Sequence, residues 1–371
     1  MKAVILVGGL GTRLRPLTCN TPKPMIPIVN KPFIEHMLER LRDQGIDEAI
    51  LAVQYLADRF REALGDGSRL GLKVHIVEEP EARGTAGAVK NVEHMLNGST
   101  YVFNGDVMTD LDLRAMLDFH REHKSKLTIA LTSVEDPTAY GLVETNATHQ
   151  ISRFLEKPRP EEITTNMINA GTYIIEPEVL RYAPQDQFYM FERGLFPTML
   201  QEHERMFGYP SHCYWTDIGK PQTYLEVHHD MLMGKLQHAF QGEQIAERVW
   251  AEGEVTIDST AQVIGPVVLG AGVTIGAGAQ IVGPTVIGAN CIIGKGARIE
   301  GAVIGSDNRI GEGAVLHTCM IGRNNQIGAC THVLDGAIVS DNCTVRAENR
   351  LERGMRLWPN TELPEKSVTF S

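Results

Sequence analysis

The chain has 371 residues, enough for two domains with separate cores, and a formal charge of −11 from 35 basic and 46 acidic residues. That balance excludes a general binder of nucleic acid or of anionic membrane surfaces, since both need basic faces. Six cysteines (Cys19, Cys213, Cys291, Cys319, Cys330, Cys343) show no Cys-x-x-Cys pair and no zinc spacing, no apolar run approaches the ~20 residues of a membrane span, and the N-terminus has no leader pattern. The expectation is a cytoplasmic chain, without a membrane segment, whose thiols are free and buried.

Lys2 to Val7 is a short apolar run of the kind that forms a fully buried parallel strand. It leads into Gly8-Gly9-Leu10-Gly11-Thr12-Arg13-Leu14-Arg15-Pro16, followed by Pro22-Lys23-Pro24. Glycines at such a turn let backbone N–H groups approach a phosphate with no Cβ in the way, while Arg13, Arg15 and Lys23 add fixed positive charge. The string is not the ATPase phosphate loop, which requires Gly-x4-Gly-Lys-Ser/Thr. Nor is it the dinucleotide fingerprint, because Leu14 stands where the third glycine belongs.

Further along, apolar residues at 34, 37, 38 and 41 predict a helix that Gly45 ends, and Ala49 to Val53 reads as a buried strand. Leu72 to Val77 predicts a strand, Ala86 to Leu96 a helix, and Thr100 to Phe103 another strand. This alternation predicts an α/β domain over residues 1–230, Rossmann-like with a mostly parallel sheet, binding ligands beyond the carboxyl ends of its strands. Asp106 and the Gly8 turn both fall just past such ends. Asp110 and Asp112, close to Asp106, read as a turn residue and a helix N-cap.

Residues 231–253 read as a connecting segment. From 254 to 371 the sequence becomes periodic: Ile257, Val263, Leu269, Ile275, Ile281, Ile287, Ile293 and Ile299 recur every six residues, often followed by glycine. Five-residue steps at 299→304, 316→321 and 333→338 interrupt the period. Three short strands per coil, each with one inward apolar residue, account for that arithmetic, and the repeat resembles a left-handed parallel β-helix. About five coils are expected, with a tail from Leu351 carrying Trp358, Pro359 and Pro364 that folds back on the helix or onto a neighbour.

Gly-Gly-x-Gly-Thr-Arg-Leu-x-Pro-Leu-Thr with Pro-Lys-Pro-Met-Ile-Pro closely resembles the signature of the sugar-1-phosphate nucleotidyltransferases. Asn104-Gly105-Asp106, Phe154-Leu155-Glu156-Lys157-Pro158, Ile168-Asn169-Ala170-Gly171 and Trp215-Thr216-Asp217-Ile218-Gly219 follow in that family's order. The resemblance covers roughly residues 1–230 and implies transfer of a nucleotidyl group from an NTP to a sugar 1-phosphate, with release of pyrophosphate.

It implies that Leu6, Gly8, Gly9, Gly11, Thr12, Arg13, Lys23, Gln54, Gly84, Thr85 and Asp106 bind the nucleotide. It assigns the sugar phosphate to Gly141, Glu156, Lys157 and Asn169, and Mg²⁺ to Asp106 and Asp217. Arg13, Lys23, Asp106, Lys157 and Asp217 form the implied catalytic set, with the base over Gly84-Thr85-Ala86-Gly87. That spelling after Glu78-Glu79-Pro80 looks most like the mannose-1-phosphate guanylyltransferases, so GTP and mannose 1-phosphate are the expected substrates. Met190-Phe191-Glu192-Arg193 departs from the polar run of many relatives and leaves glucose 1-phosphate with UTP or dTTP open.

A catalytic domain followed by a β-helix resembles family members that assemble through the helix, implying a homo-oligomer. Two readings from other classes stand beside this one. A hexapeptide-repeat acyltransferase would draw its histidine from His317 or His332. A regulatory pyrophosphorylase-like subunit would be catalytically silent, yet this chain keeps the whole implied catalytic set.

Overall fold

The computed structural model describes residues 1–236 and 240–369. Residues 237–239 of the expected connecting segment and 370–371 of the expected tail lie outside the described residues. The chain forms two compact units, one of 1–10 with 34–217 and the other of 11–33 with 218–371.

Among the described residues, the first unit is built on a nine-stranded sheet. Lys2–Leu6 lies between Glu48–Val53 and Thr100–Asn104, parallel to both, and Lys73–Glu78 adds in parallel beyond Glu48–Val53. The first three of these strands are apolar on both faces, as a sheet covered on both sides requires: Ala3, Val4, Ile5, Ile50, Leu51 and Val102 are fully buried.

The sheet is mixed, where a mostly parallel one was expected. Gly141–Thr145 and Ile151–Glu156 are antiparallel, and Met167–Ile175 runs antiparallel to Thr100–Asn104, Leu127–Ser133 and Gly141–Thr145. The reason is connection length: residues 146–150, closed by the Asn146 side chain on the amides of Thr148 and Gln150, are too few for a parallel crossover. The core packs Val4, Ile50, Val102, Ile129, Tyr173 and Phe196 against one another.

The expected helix over 34–41 spans Phe33–Asp43, and Gly45 at φ 85° closes its end. The helix expected over 86–96 is Gly84–Asn91 followed by a separate 3₁₀ turn, Glu93–Met95. Asp112 caps Leu113–Glu122 by accepting from the Ala115 amide, as expected.

In the second unit, short parallel strands stack into three sheets of a β-helix, consistent with the left-handed form, preceded by an antiparallel edge strand, Glu243–Ala246. The periodic residues point inward: Leu269, Ile275, Ile281, Ile287, Ile293 and Ile299 are buried in one continuous core.

The described residues make six complete coils and two strands of a seventh, more than the five expected. The tail is where the count differs. Leu351, Leu357 and Leu363 continue the six-residue step from Val345, so Arg350–Leu351, Arg356–Leu357 and Glu362–Leu363 extend the helix instead of folding back. Trp358 stands outside, half exposed, and does not interrupt that period.

All six cysteines are free, with Cys291, Cys319 and Cys343 buried, Cys19 and Cys213 partly so, and Cys330 exposed. No helix among the described residues is long and apolar enough to cross a membrane.

Candidate active site

Three adjacent parallel strands of the first unit bring their carboxyl ends together. The first delivers Gly8, whose missing Cβ would stand 3.5 Å from the Gln54 side chain at the end of the second. The third ends beside them at Glu79, whose amide donates to the Val53 carbonyl at 2.8 Å. Gly9 is exposed with open space where a Cβ would be. On the other side of the first strand, the Gly105 amide donates to the Leu6 carbonyl at 2.9 Å, and a Cβ there would strike Val7 at 2.6 Å. Only glycine allows Asn104-Gly105-Asp106 to lie this close to the strand that carries the signature turn.

Asp106 directly precedes Val107–Thr109, which pairs antiparallel with Trp215–Asp217, and Asp217 is the register partner of Val107. Two carboxylates more than a hundred residues apart in sequence therefore sit at one end of a two-stranded ribbon. Tyr140 donates its hydroxyl to Asp217 Oδ1 at 3.0 Å and orients that carboxylate. The donor chemistry fits Mg²⁺, a hard cation held by one or two carboxylates completed by phosphate oxygens and water. No cluster of three or more His, Cys, Asp or Glu suited to a metal occurs among the described residues.

The implied sugar residues also converge within this unit. Gly141 pairs with Glu156, and a Cβ on Gly141 would lie 3.1 Å from Glu156 Oε2. Lys157 adopts φ 53°, a conformation uncommon outside glycine, with its amide donating to the Tyr140 carbonyl at 2.9 Å. Its side chain is exposed. Asn169 lies where the ladder between Met167–Ile175 and Leu127–Ser133 breaks register. Its Oδ1 accepts from the Gly171 amide at 2.9 Å and its Nδ2 donates to the Tyr173 hydroxyl at 2.9 Å. Gly171, at φ 69°, approaches Asn104 so closely that a Cβ would stand 2.7 Å from its amide nitrogen.

Gly84-Thr85-Ala86-Gly87 forms the first turn of Gly84–Asn91, and the Ala86 and Gly87 amides both donate to the Tyr189 carbonyl, at 3.0 and 2.9 Å. Thr85 donates to Glu192 Oε2 at 2.9 Å.

Glu79 and Glu192 were not among the expected site residues. Glu79 is buried, accepts from the Arg83 backbone, and its Oε1 has no hydrogen-bond partner. Burial pushes its pKa above the ordinary carboxylate range, against the opposing charge of Arg83. Burial also raises Glu192. Glu156 is raised by burial first and by the charge of Glu192 second, while Lys157 and Arg193 oppose. The sequence marks both only as parts of longer strings, Glu78-Glu79-Pro80 and Met190-Phe191-Glu192-Arg193, and their burial comes from packing beyond the end of a periodic element.

Gly11, Thr12, Arg13 and Lys23 belong to the second unit, where 11–33 packs with the β-helix. Gly11 at φ 59° opens the 3₁₀ turn Thr12–Leu14, and a Cβ there would lie 3.1 Å from that of Lys23. Gly11 and Lys23, one from each half of the signature, are thereby held side by side. Lys23 is buried at the start of the turn Lys23–Met25, whereas Arg13 and Arg15 are exposed. His317 and His332 occupy neighbouring coils of one sheet, opposite Leu334 and Val315 respectively.

A glycine turn at a strand end, two aspartates at one end of a ribbon and the strands that carry Gly141, Glu156 and Asn169 thus lie in one unit, the arrangement the motifs imply for an enzyme acting on a nucleotide and a second polar substrate. The nucleotidyl transferase family model matches residues 2–234, and the EIF2B subunit epsilon LbH domain model matches 246–351. The chain belongs to the nucleotidyl transferase family.

It is 39% identical over 276 residues to the mannose-1-phosphate guanylyltransferase of Mycobacterium tuberculosis, covering 73% of this chain and 75% of that one. It is 40% identical over 230 residues to the mannose-1-phosphate guanylyltransferase catalytic subunit beta of Xenopus tropicalis, covering 61% and 63%. Among solved structures, HddC from Yersinia pseudotuberculosis complexed with GMP-PN superposes with a TM-score of 0.54 at 31% identity. That match covers 62% of this chain and 99% of HddC.

Proposed function

We propose that this protein transfers GMP from GTP to mannose 1-phosphate, giving GDP-mannose and pyrophosphate. The observation that carries the choice of base is Glu79. Guanine presents N1–H and N2–H₂ side by side, a pair of donors that one carboxylate accepts together, and adenine, uracil and thymine offer no such pair. Glu79 is joined to Val53, the residue before Gln54, and has an unpartnered buried oxygen that a base reaching it would satisfy. The names of the relatives support the same pair of substrates.

In the reaction, an oxygen of the sugar phosphate attacks the α-phosphorus in line as the bond to pyrophosphate breaks. The dianion is itself the nucleophile, so no general base is required, and the enzyme's task is to hold two anions together and stabilise the leaving group. Arg13 and Lys23 supply positive charge to the triphosphate, and Lys157 neutralises and orients the sugar phosphate. Glu156 and Asn169 hold sugar hydroxyls. Asp106 and Asp217 would hold Mg²⁺, which when bound supplies further positive charge against the phosphates.

Pyrophosphate release measured over five NTPs and four hexose 1-phosphates tests the assignment. A dominant GTP–mannose pair is expected. Turnover centred on UTP or dTTP with glucose 1-phosphate would keep the chemistry and overturn the specificity, and no turnover with Mg²⁺ present would favour a regulatory subunit.

A further inference from the structure

The stretch between Arg13 and Lys23 contains no α-helix or strand. Two short 3₁₀ turns, Thr12–Leu14 and Lys23–Met25, are joined by turns closed by Leu17 on Leu14, Cys19 on Pro16 and the Thr18 hydroxyl on Gly11. Side chains of the β-helix coils, in the same unit, hydrogen-bond to that chain.

Arg356 Nη1 donates to the Arg15 carbonyl at 2.8 Å, and the buried Ser340 hydroxyl donates to the Pro16 carbonyl at 2.9 Å. Arg323 Nη2 donates to the Thr21 hydroxyl at 3.2 Å and is itself paired with Asp341 at 3.3 Å. The three donors come from successive coils. Met320 pairs with Ile338 and Ile338 with Arg356 in parallel register, so Arg356 lies within its strand of this one sheet, while Ser340 and Arg323 follow theirs by one and two residues. Farther along the same sheet, Asn30 donates to the Ile287 carbonyl at 3.1 Å and to Glu252 at 2.9 Å.

Two of these bonds end on backbone carbonyls, so they constrain the path of the main chain whatever side chains it bears. Pro16 is buried, and its carbonyl needs a donor there. Arg15 and Pro16 lie two and three residues after Arg13, and Thr21 two residues before Lys23. The chain after Arg13 is thus tethered by Ser340 and Arg356, and the chain before Lys23 by Arg323.

We propose that the last coils of the β-helix are a positioning element for nucleotidyl transfer, in which Arg323, Ser340 and Arg356 set the main chain that carries Arg13 and Lys23 before the triphosphate arrives. This rests on the reading of Arg13 and Lys23 as triphosphate ligands. The physical gain is preorganisation: cations already in place need not be ordered during the reaction, and small misplacements of such groups are costly in rate.

The test uses the full chain with Arg356→Met, Ser340→Ala and the double variant. Val339 and Leu357, which fill the coil interior, are untouched, so the coils are expected to stay folded, with the melting temperature lowered only by the loss of a donor to the buried Pro16 carbonyl. Expected is a fall in kcat of about 10- to 100-fold in the double variant. KM for mannose 1-phosphate stays unchanged, because the residues assigned to it lie in the other unit. Arg356→Lys, which keeps one donor for one carbonyl and carries little risk to folding, restores part of the rate. Amide hydrogen exchange over residues 11–33 accelerates in the double variant while the coil interior remains protected.

Full kcat in a folded double variant, or unchanged exchange over 11–33, overturns the proposal. If the parent releases no pyrophosphate from any nucleotide–sugar pair, the activity assignment is what has failed. GTP protection of 11–33 from exchange then decides for the positioning element: its loss in the double variant supports the proposal and its retention overturns it.

Discussion

Replacing Glu79 by Gln alters the proposed guanine contact with almost no change in shape. The carboxylate accepts from both donors of the base, whereas the amide offers one acceptor and turns a donor toward a donor. A hydrogen bond to a charged group contributes about 1.5–3 kcal/mol, equivalent to about 10- to 150-fold in rate at 1.36 kcal/mol per decade. The expected result is a loss of that size in kcat/KM for GTP, with KM for mannose 1-phosphate unchanged and the low rates with ATP and UTP preserved.

The pH dependence supplies an independent check. Burial raises the Glu79 pKa, so the proton is bound over a range where an exposed carboxylate has already lost it. KM for GTP should therefore climb as pH falls through a value above the ordinary ~4.3 of a glutamate, and this limb should vanish in the variant. The stability sign is the reverse. A raised carboxyl pKa contributes stability fully present below the unfolded value and lost as pH rises through the folded value, so Glu79→Gln should melt no lower than the parent at pH 7. Steady-state kinetics from pH 5 to 8 with GTP, ATP and UTP measure all of this. A variant that keeps its full preference for GTP would refute the assignment of Glu79 to the base.

Asp106→Ala is expected to abolish pyrophosphate release at saturating Mg²⁺ without lowering the melting temperature; retained turnover would remove Asp106 from the metal site. Glu192→Gln removes one of the two causes that raise Glu156. The acid limb of KM for mannose 1-phosphate should then move to lower pH without reaching the value of an exposed glutamate, because burial remains, and an unmoved limb would mean that the two carboxylates do not interact. Leu316→Ala, at a fully buried inward position of the β-helix, should cost about 2–5 kcal/mol in urea unfolding. A loss below about 1 kcal/mol would mean that the coil collapses around the missing side chain.

Both domain types were legible because each rests on a local period. Inward Ile and Val every six residues specify a coil, and the apolar run Lys2–Val7 specifies a buried strand, whatever lies elsewhere in the chain. The same arithmetic reached farther than the first count of coils, since Leu351, Leu357 and Leu363 keep the step that Trp358 and the prolines obscured. Strand direction was less legible. It depends on whether a connection has length for a crossover, and residues 146–150 do not.

The motifs named most of the candidate site, because glycines that must admit a neighbouring backbone and aspartates at strand ends are constrained by their immediate surroundings. Three features came only from the tertiary structure: the burial of Glu79 with an unpartnered oxygen, the packing of Glu192 that raises Glu156, and the docking of 11–33 on the β-helix coils. Each arises where segments far apart in sequence meet. A carboxylate's solvation and a loop's hydrogen-bond donors are properties of what surrounds them in space, and a linear pattern records only what lies next along the chain.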